Sequence, residues 1–353
     1  MKKARGELRE VENQMKVIDA DAHVIENEST WDYMLESERP FKPKVVGATS
    51  AKDPFDYWLI DGRVIPRNNV GRDLPVAARE MSDLSVRIKH MDELGIDCQV
   101  IYPTFFITPV SRRPDIDLAV SRSYNRWIAD IVKKASDRFR WVLVPPLQST
   151  EHLSDELKFG KENGACGVYL RGLEVERSLS DPYFFPLYEQ ASALDLPICV
   201  HSANGAFTTY DFFADDPGFS KFKLAVIGAF HSLVFHAIPQ RFPKLKIGII
   251  EVSAQWIPYA VHDLSRRFAR RGRPFPKNVL KENRIYVTCQ TDDDLDHVLG
   301  YAGEDNLVIG TDYGHADNAV EIEALRKLRT DGKISGQVVD KILKDNPRAF
   351  YGL

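Results

Sequence analysis

Val17-Ile18-Asp19-Ala20-Asp21-Ala22-His23-Val24-Ile25-Glu26 begins as an apolar run and ends in groups able to hold a metal ion. Asp21 and His23 stand two apart, so on a strand their side chains leave from the same face. A carboxylate and an imidazole converging at a strand exit form half of a divalent-cation site. The plainer alternative is a strand end with a turn-forming Asp and a hydrogen-bonded His. Whether the arrangement returns along the chain separates the two. The stretch also bears on the fold. A doubly wound open sheet would carry a Gly-rich phosphate turn after its first strand, and Asp21-Ala22-His23 is nothing like one.

Further apolar, strand-like runs follow at Cys98–Tyr102, Trp141–Pro145, Gly167–Leu170, Ile198–His201, Lys246–Val252, Ile285–Cys289 and Leu307–Gly310. Between them the spacing predicts helices at Leu118–Ala135, His152–Asn163, Tyr183–Leu194, Phe222–Ile238, Gln255–Ala269 and Asp293–Leu299. With Val17–Ala20 as the first, eight strands alternate with helices. Strands this continuously apolar are buried on both faces, which predicts a parallel (β/α)8 TIM barrel of class α/β. A helix over Leu84–Leu94 would bury Leu84, Ile88, Met91 and Leu94, and a pair at Glu321–Thr330 and Gln337–Leu343 closes the chain.

Residues 1–16 alternate charge without period and read as a flexible arm or a short edge helix; residues 17–353 form the barrel domain. From 27 to about 79 the chain is rich in Pro, Asp and Arg. Within it, Tyr57–Ile60 and Arg63–Ile65 flank Asp61-Gly62, a two-residue hairpin signal. A hairpin inserted there would lie over the barrel mouth as a lid.

A length of 353 residues suits one such barrel with insertions, and 44% hydrophobic content fills its core. A net charge of −4 gives no electrostatic ground for nucleic acid or an anionic membrane as partner. No apolar run reaches the length of a membrane span, and the N-terminus is charged rather than signal-like. Cys98, Cys166, Cys199 and Cys289 lie in or beside apolar runs without a CxxC pair, as expected of free thiols in a reducing cytoplasm. The arm and the aromatic Tyr57-Trp58 suggest exposed apolar surface, hence a dimer or larger homo-oligomer.

Active sites of such barrels lie at the C-terminal strand ends. Strand one ends in Asp21 and His23, strand five in His201, strand six in Glu251 and strand eight in Thr311-Asp312-Tyr313. Any one of these has a structural explanation; their return at four strand ends points to a metal centre. His315, on the loop after Asp312, is a candidate for substrate or metal contact. Arg171, at the exit of strand four, offers a planar fork for a substrate carboxylate, or alternatively a salt bridge to a loop acid. Glu26 lies just past His23 and reads as its orienting partner or as a solvated loop carboxylate. His231 and His236, five apart, do not share a helix face, and Asp292-Asp293-Asp294 reads as a helix cap.

These residues resemble the amidohydrolase superfamily, in the branch of aminocarboxymuconate-semialdehyde and resorcylate-type decarboxylases. The resemblance rests on Asp21-x-His23, His201, Gly310-Thr311-Asp312-Tyr313, Gln240-Arg241-Phe242-Pro243-Lys244-Leu245 and Lys344-Asp345-Asn346-Pro347-Arg348. It implies a metal-dependent barrel acting on a small carboxylate, often aromatic. Asp21, His23, His201 and Asp312 then match the ligands of one divalent ion, manganese or zinc, with the acidic Asp21 favouring manganese. One departure stands out. Where many decarboxylases of this branch carry a His after strand six, this chain has Glu251, either a proton shuttle or a ligand of a second ion.

The reading is a metal-dependent decarboxylase with Glu251 as acid, or a hydrolase with Asp312 as base. One alternative is a dinuclear iron or manganese–iron oxygenase whose second metal, Fe or Mn, uses Glu251 and His315. Another is a metal-stabilised subunit that only scaffolds a partner.

Overall fold

The computed structural model describes residues 17–47, 56–67, 69–316 and 320–353. The N-terminal arm lies outside the described residues. Eight parallel strands pair in sequence order: β1 (Ile18–Val24), β2 (Cys98–Pro103), β3 (Phe139–Leu143), β4 (Ala165–Arg171), β5 (Ile198–His201), β6 (Ile247–Ile250), β7 (Ile285–Cys289) and β8 (Leu307–Ile309). The circle closes through a parallel bridge between Ala22 and Tyr313, where His23 N donates to Tyr313 O at 2.7 Å. The outcome is the expected (β/α)8 barrel. Every residue of β1, β2, β5, β6 and β8 is buried, which is why these segments read as unbroken apolar runs rather than alternating ones.

Helices α1 (Leu84–Leu94), α2 (Pro114–Val132), α3 (Leu153–Glu162), α4 (Phe185–Ala193), α5 (Leu224–Phe235), α6 (Ile257–Arg270), α7 (Leu295–Ala302) and α8 (Ala324–Thr330) alternate with the strands. Helix α2 starts earlier than expected because Pro114 sits at the first helical turn, where its missing N–H costs nothing, with Asp115 and Asp117 against the positive end of the dipole. Its buried stripe runs Ile116, Val120, Tyr124, Trp127 and Ile131. Asp83 caps α1 and Gly95, at φ 72°, ends it. The buried face of α1 differs from expectation: it carries Arg87 with Met91 and Leu94, while Leu84 and Ile88 are only partly covered. Helix α5 is shorter than its apolar pattern, since a π turn at Phe219–Lys223 precedes it and Ala237, at φ 61°, breaks it. No described helix is long and apolar enough to cross a membrane.

The insertion after β1 builds a three-stranded antiparallel sheet, Lys44–Gly47, Asp56–Ile60 and Arg63–Pro66. Asp61 and Gly62, at φ 49° and 69°, make the two-residue turn. Trp58 is buried, not exposed: its ring meets Trp31 and Phe105 edge-on, at centroid distances of 5.8 and 5.5 Å. That removes one of the two grounds for exposed apolar surface in the sequence. All four cysteines are buried and free.

Candidate metal centre and active site

The four strand ends meet at one point. His23 Nε2 lies 3.0 Å from His201 Nε2, 3.4 Å from Asp312 Oδ1, 3.5 Å from Asp21 Oδ1 and 3.6 Å from Glu251 Oε2. His201 Nε2 is 2.9 Å from Glu251 Oε2 and 3.5 Å from Asp21 Oδ1. His315 Nδ1 lies 2.7 Å from Asp312 Oδ1. All six side chains are buried.

The backbone holds them there against its own preferences. Glu251, Ser253 and Asp312 adopt the left-handed region, at φ 63°, 62° and 52°. Non-glycine residues rarely sit there, and such outliers cluster at functional sites. Glu251 N donates to Thr288 Oγ1 at 2.6 Å, and Asp312 N to Asp21 O at 2.9 Å, locking each turn to a neighbouring strand. Gly310 is required by close approach: a Cβ on it would lie 2.4 Å from the Cβ of Asp21.

The donor set fits a divalent cation. His23 Nδ1 is 3.2 Å from the Pro103 carbonyl, which only accepts, so its proton sits on Nδ1 and the Nε2 lone pair faces the cluster. Thr104 Oγ1 donates to Val24 O at 2.8 Å and therefore accepts from His315 Nε2 at 2.9 Å, which turns the His315 Nδ1 lone pair toward Asp312. Asp21 Oδ1 and Glu251 Oε2 are buried and face the imidazole nitrogens of His23 and His201. Two lone pairs aimed among carboxylates call for positive charge, and the separations suit ligands around an ion with bonds of about 2.0–2.2 Å. Asp21, His23, His201 and Glu251 form one ligand group, and His23, Glu251, Asp312 and His315 a second, overlapping one. Burial, and then His315, push the His23 imidazole well below its ordinary pKa. Burial also works against charged His201, but Glu251 and Asp21 outweigh it and hold that ring at about 10.

A buried polar chain, unread in the sequence, supports this cluster. Asp19 accepts from Thr311 N (2.9 Å), Thr311 Oγ1 (2.7 Å) and Gln99 Nε2 (2.9 Å). Gln99 Oε1 accepts from Arg87 Nε at 2.8 Å, and Arg87 Nη1 donates to His23 O at 2.8 Å. The guanidinium lies 4.3 Å from the Tyr313 ring centroid. One chain thus touches the backbone of His23 and both neighbours of Asp312. Burial pushes the Asp19 carboxyl up to about 6 and lowers Arg87 to about 10. The available signal was Arg87 itself, three residues after Leu84 and four before Met91, a charge inside the apolar stripe.

The remaining candidates are sorted by position. Arg171 spends its fork on Glu174, at 2.8 and 2.6 Å, and donates to the carbonyls of Phe106 and Thr108. It braces the loop after β4, matching the alternative of a salt bridge to a loop acid, and is not among the residues lining the cavity. Glu26 does not orient His23 and is not solvated. It is buried, accepts from Thr104 N and Phe105 N, and burial lifts its carboxyl to about 8. His231 pairs with Asp263 away from the centre, and Asp294 caps α7. Above the cluster opens a cavity of about 550 Å³, reaching from Glu251 and Glu26 to the hairpin and to the segment after β5.

Comparison with known proteins decides the family: the amidohydrolase profile matches residues 18–353. The chain belongs to the amidohydrolase family. Among curated members, it is 22% identical over 290 residues to 2-amino-3-carboxymuconate-6-semialdehyde decarboxylase of Dictyostelium discoideum, covering 77% of each chain. It is 27% identical over 144 residues to gamma-resorcylate decarboxylase of Polaromonas sp., covering 38% of this chain and 43% of that protein. An amidohydrolase of Mycobacterium avium subsp. paratuberculosis superposes with a TM-score of 0.79 at 19% identity, over 96% of this chain and 100% of the other. A dihydroxybenzoic acid decarboxylase of Polaromonas sp., solved with manganese and 2-nitroresorcinol, gives 0.68 at 18%, over 96% and 97%. Membership in this enzyme family leaves the scaffold reading without support.

Proposed function

We propose that this amidohydrolase is a metal-dependent decarboxylase of a carboxylated aromatic or dienoic acid. The observation that carries it is the convergence of Asp21, His23, His201 and Glu251 at one buried point, with Asp312 3.4 Å from His23 Nε2, beneath a cavity that Glu251 also lines. Asp21, His23, His201 and Asp312 would hold one divalent ion, manganese in preference to zinc, which when bound supplies an electrophile for the substrate's carboxylate and neighbouring oxygen. The manganese reported in a decarboxylase of the same fold supports that preference.

The chain's own groups do the rest. Loss of CO₂ leaves a carbon that must take up a proton, and Glu251, in the cavity floor, is the acid placed to deliver it. Asp312, whose carboxylate lies beside both His23 and His315, fixes the charge balance of the centre. In a hydrolase the same carboxylate would act as base; the activities in the relatives' names favour decarboxylation. Buried free thiols support a reducing, cytoplasmic setting, and exposed Phe212 and Tyr259 support a homo-oligomer, to be checked by light scattering.

A second reading, the dinuclear iron or manganese–iron oxygenase, is favoured by one observation. Glu251, Asp312 and His315 form a ligand group with His315 Nδ1 presented by Thr104. An imidazole nitrogen serves one ion, so His23 belongs to one of the two groups, whereas Glu251 has two oxygens. Elemental analysis of protein purified without added metal, paired with a CO₂-release assay, tests both. One ion per chain with CO₂ release supports the first reading; two ions with iron and no CO₂ release support the second.

A further inference from the structure

We propose that the acid accepted here is substantially larger than a single-ring carboxylate: an amphipathic acid with a polycyclic or long hydrocarbon body. The carboxylate sits at the buried cluster, and the body lies between the hairpin and the segment after β5. The inference rests on the carboxylic-acid reading above and narrows its substrate class.

The first ground is size. The cavity measures about 550 Å³, within the range of about 300–1,000 Å³ typical of pockets for drug-sized ligands. At a liquid share of about 30 Å³ per water-sized group, it has room for about 18 such groups. A single-ring dihydroxy acid has about 11 non-hydrogen atoms, and bonded atoms pack more tightly than waters, so such a ligand would leave much of the space unfilled.

The second ground is the wall. Trp58 and Ile65 face the cavity from the hairpin, Phe105 and Ile107 from the loop after β2, and Phe219 and Phe222 from the π turn before α5. Two of the long cationic side chains in the wall are committed, Arg67 donating to Glu26 O at 2.9 Å and Lys221 to Ala214 O at 2.7 Å, while Lys223 also lines it. The surface offered to the distal part of a ligand is rich in aromatic and aliphatic side chains, with Asp216 and Lys223 among them. Phe219 both lines the cavity and is 56% exposed, so the apolar wall continues into the mouth. None of these three segments is a barrel strand, which explains why strand-end motifs carry no record of substrate size.

The test is calorimetric titration of the manganese-loaded full chain with benzoate, 2-naphthoate, 2-anthracenecarboxylate and decanoate, and with 2-naphthalenemethanol as an uncharged control. Burying about 50 Å² more apolar surface per added ring is expected to tighten binding about tenfold per step. Phe222→Ala and Phe219→Ala, both on the segment outside the barrel, should flatten that slope. Benzoate binding as tightly as the larger acids overturns the size inference and leaves the carboxylic-acid reading standing. The alcohol binding as well as 2-naphthoate removes the carboxylate part and leaves the size inference standing. No binding by any of the larger probes overturns the inference outright.

Discussion

Replacing Arg87 by Met tests whether the buried chain behind β1 and β8 sets the metal centre. Met fills the same channel without donors, so the Gln99 Oε1 and His23 O acceptors, each at 2.8 Å from the guanidinium, are left unpaired inside the protein. An orphaned buried acceptor costs about 1–3 kcal/mol, giving about 4 kcal/mol for two. The guanidinium is itself strained by burial, which lowers it to about 10, so relief of that strain offsets part of the loss and about 3 kcal/mol is expected. For 353 residues, an unfolding entropy of about 2.1 cal/mol/K per residue sums to about 0.74 kcal/mol/K. The melting temperature in EDTA should therefore fall by about 4 °C. Because the same guanidinium pins the His23 carbonyl, manganese affinity should drop about 10–100-fold in the folded variant. Thermal melts and competition calorimetry read the two effects separately. A Tm shift below about 1 °C would refute the satisfaction argument. A lower Tm with unchanged manganese affinity would refute the coupling of this chain to the ligands.

His201→Ala should weaken metal binding by at least about tenfold, as a buried imidazole donor is removed from the cluster. In the unaltered protein, His201 is held protonated up to about 10, so metal uptake at pH 7–8 should release a proton, visible as buffer-dependent calorimetric heat. Glu251→Gln should keep one ion per chain and lose CO₂ release; a metal count falling from two towards one would point to the dinuclear reading instead. Glu26 keeps its proton up to about 8 in the fold against an ordinary 4.5, so its contribution to stability is complete below about 4.5 and is lost as pH rises through about 8. Glu26→Gln should flatten the fall in melting temperature between pH 5 and 8.5, and an unchanged slope would count against that carboxyl as its source.

The barrel was legible because a parallel strand covered on both faces has no solvent side to encode, leaving an apolar run that stops where the chain turns polar. The same property exposed the site: Asp21, His23, His201, Glu251 and Asp312 each follow such a run, and the barrel's geometry brings their side chains together. Element ends were less legible, since Pro114 opens a helix as readily as it breaks one, and the π turn at Phe219–Lys223 shares the apolar pattern of α5. Arg87 and Glu26 escaped for a different reason. A buried charge looks like a surface charge until its partners are known, and those partners lie 12 to 79 residues away. Arg171 shows the converse, a strand-end fork whose receptor, Glu174, lies only three residues on.

The most direct test of the central claim is CO₂ release from a panel of ring-hydroxylated aromatic and dienoic carboxylates, extended to fused-ring acids, with metal-stripped and manganese-restored protein. Release that disappears with the metal, returns with manganese and is lost in Asp312→Asn, which keeps the shape but not the charge of a ligand, is the expected result. Protein carrying its full metal complement that releases no CO₂ from any member, while consuming oxygen or hydrolysing an ester, would contradict it.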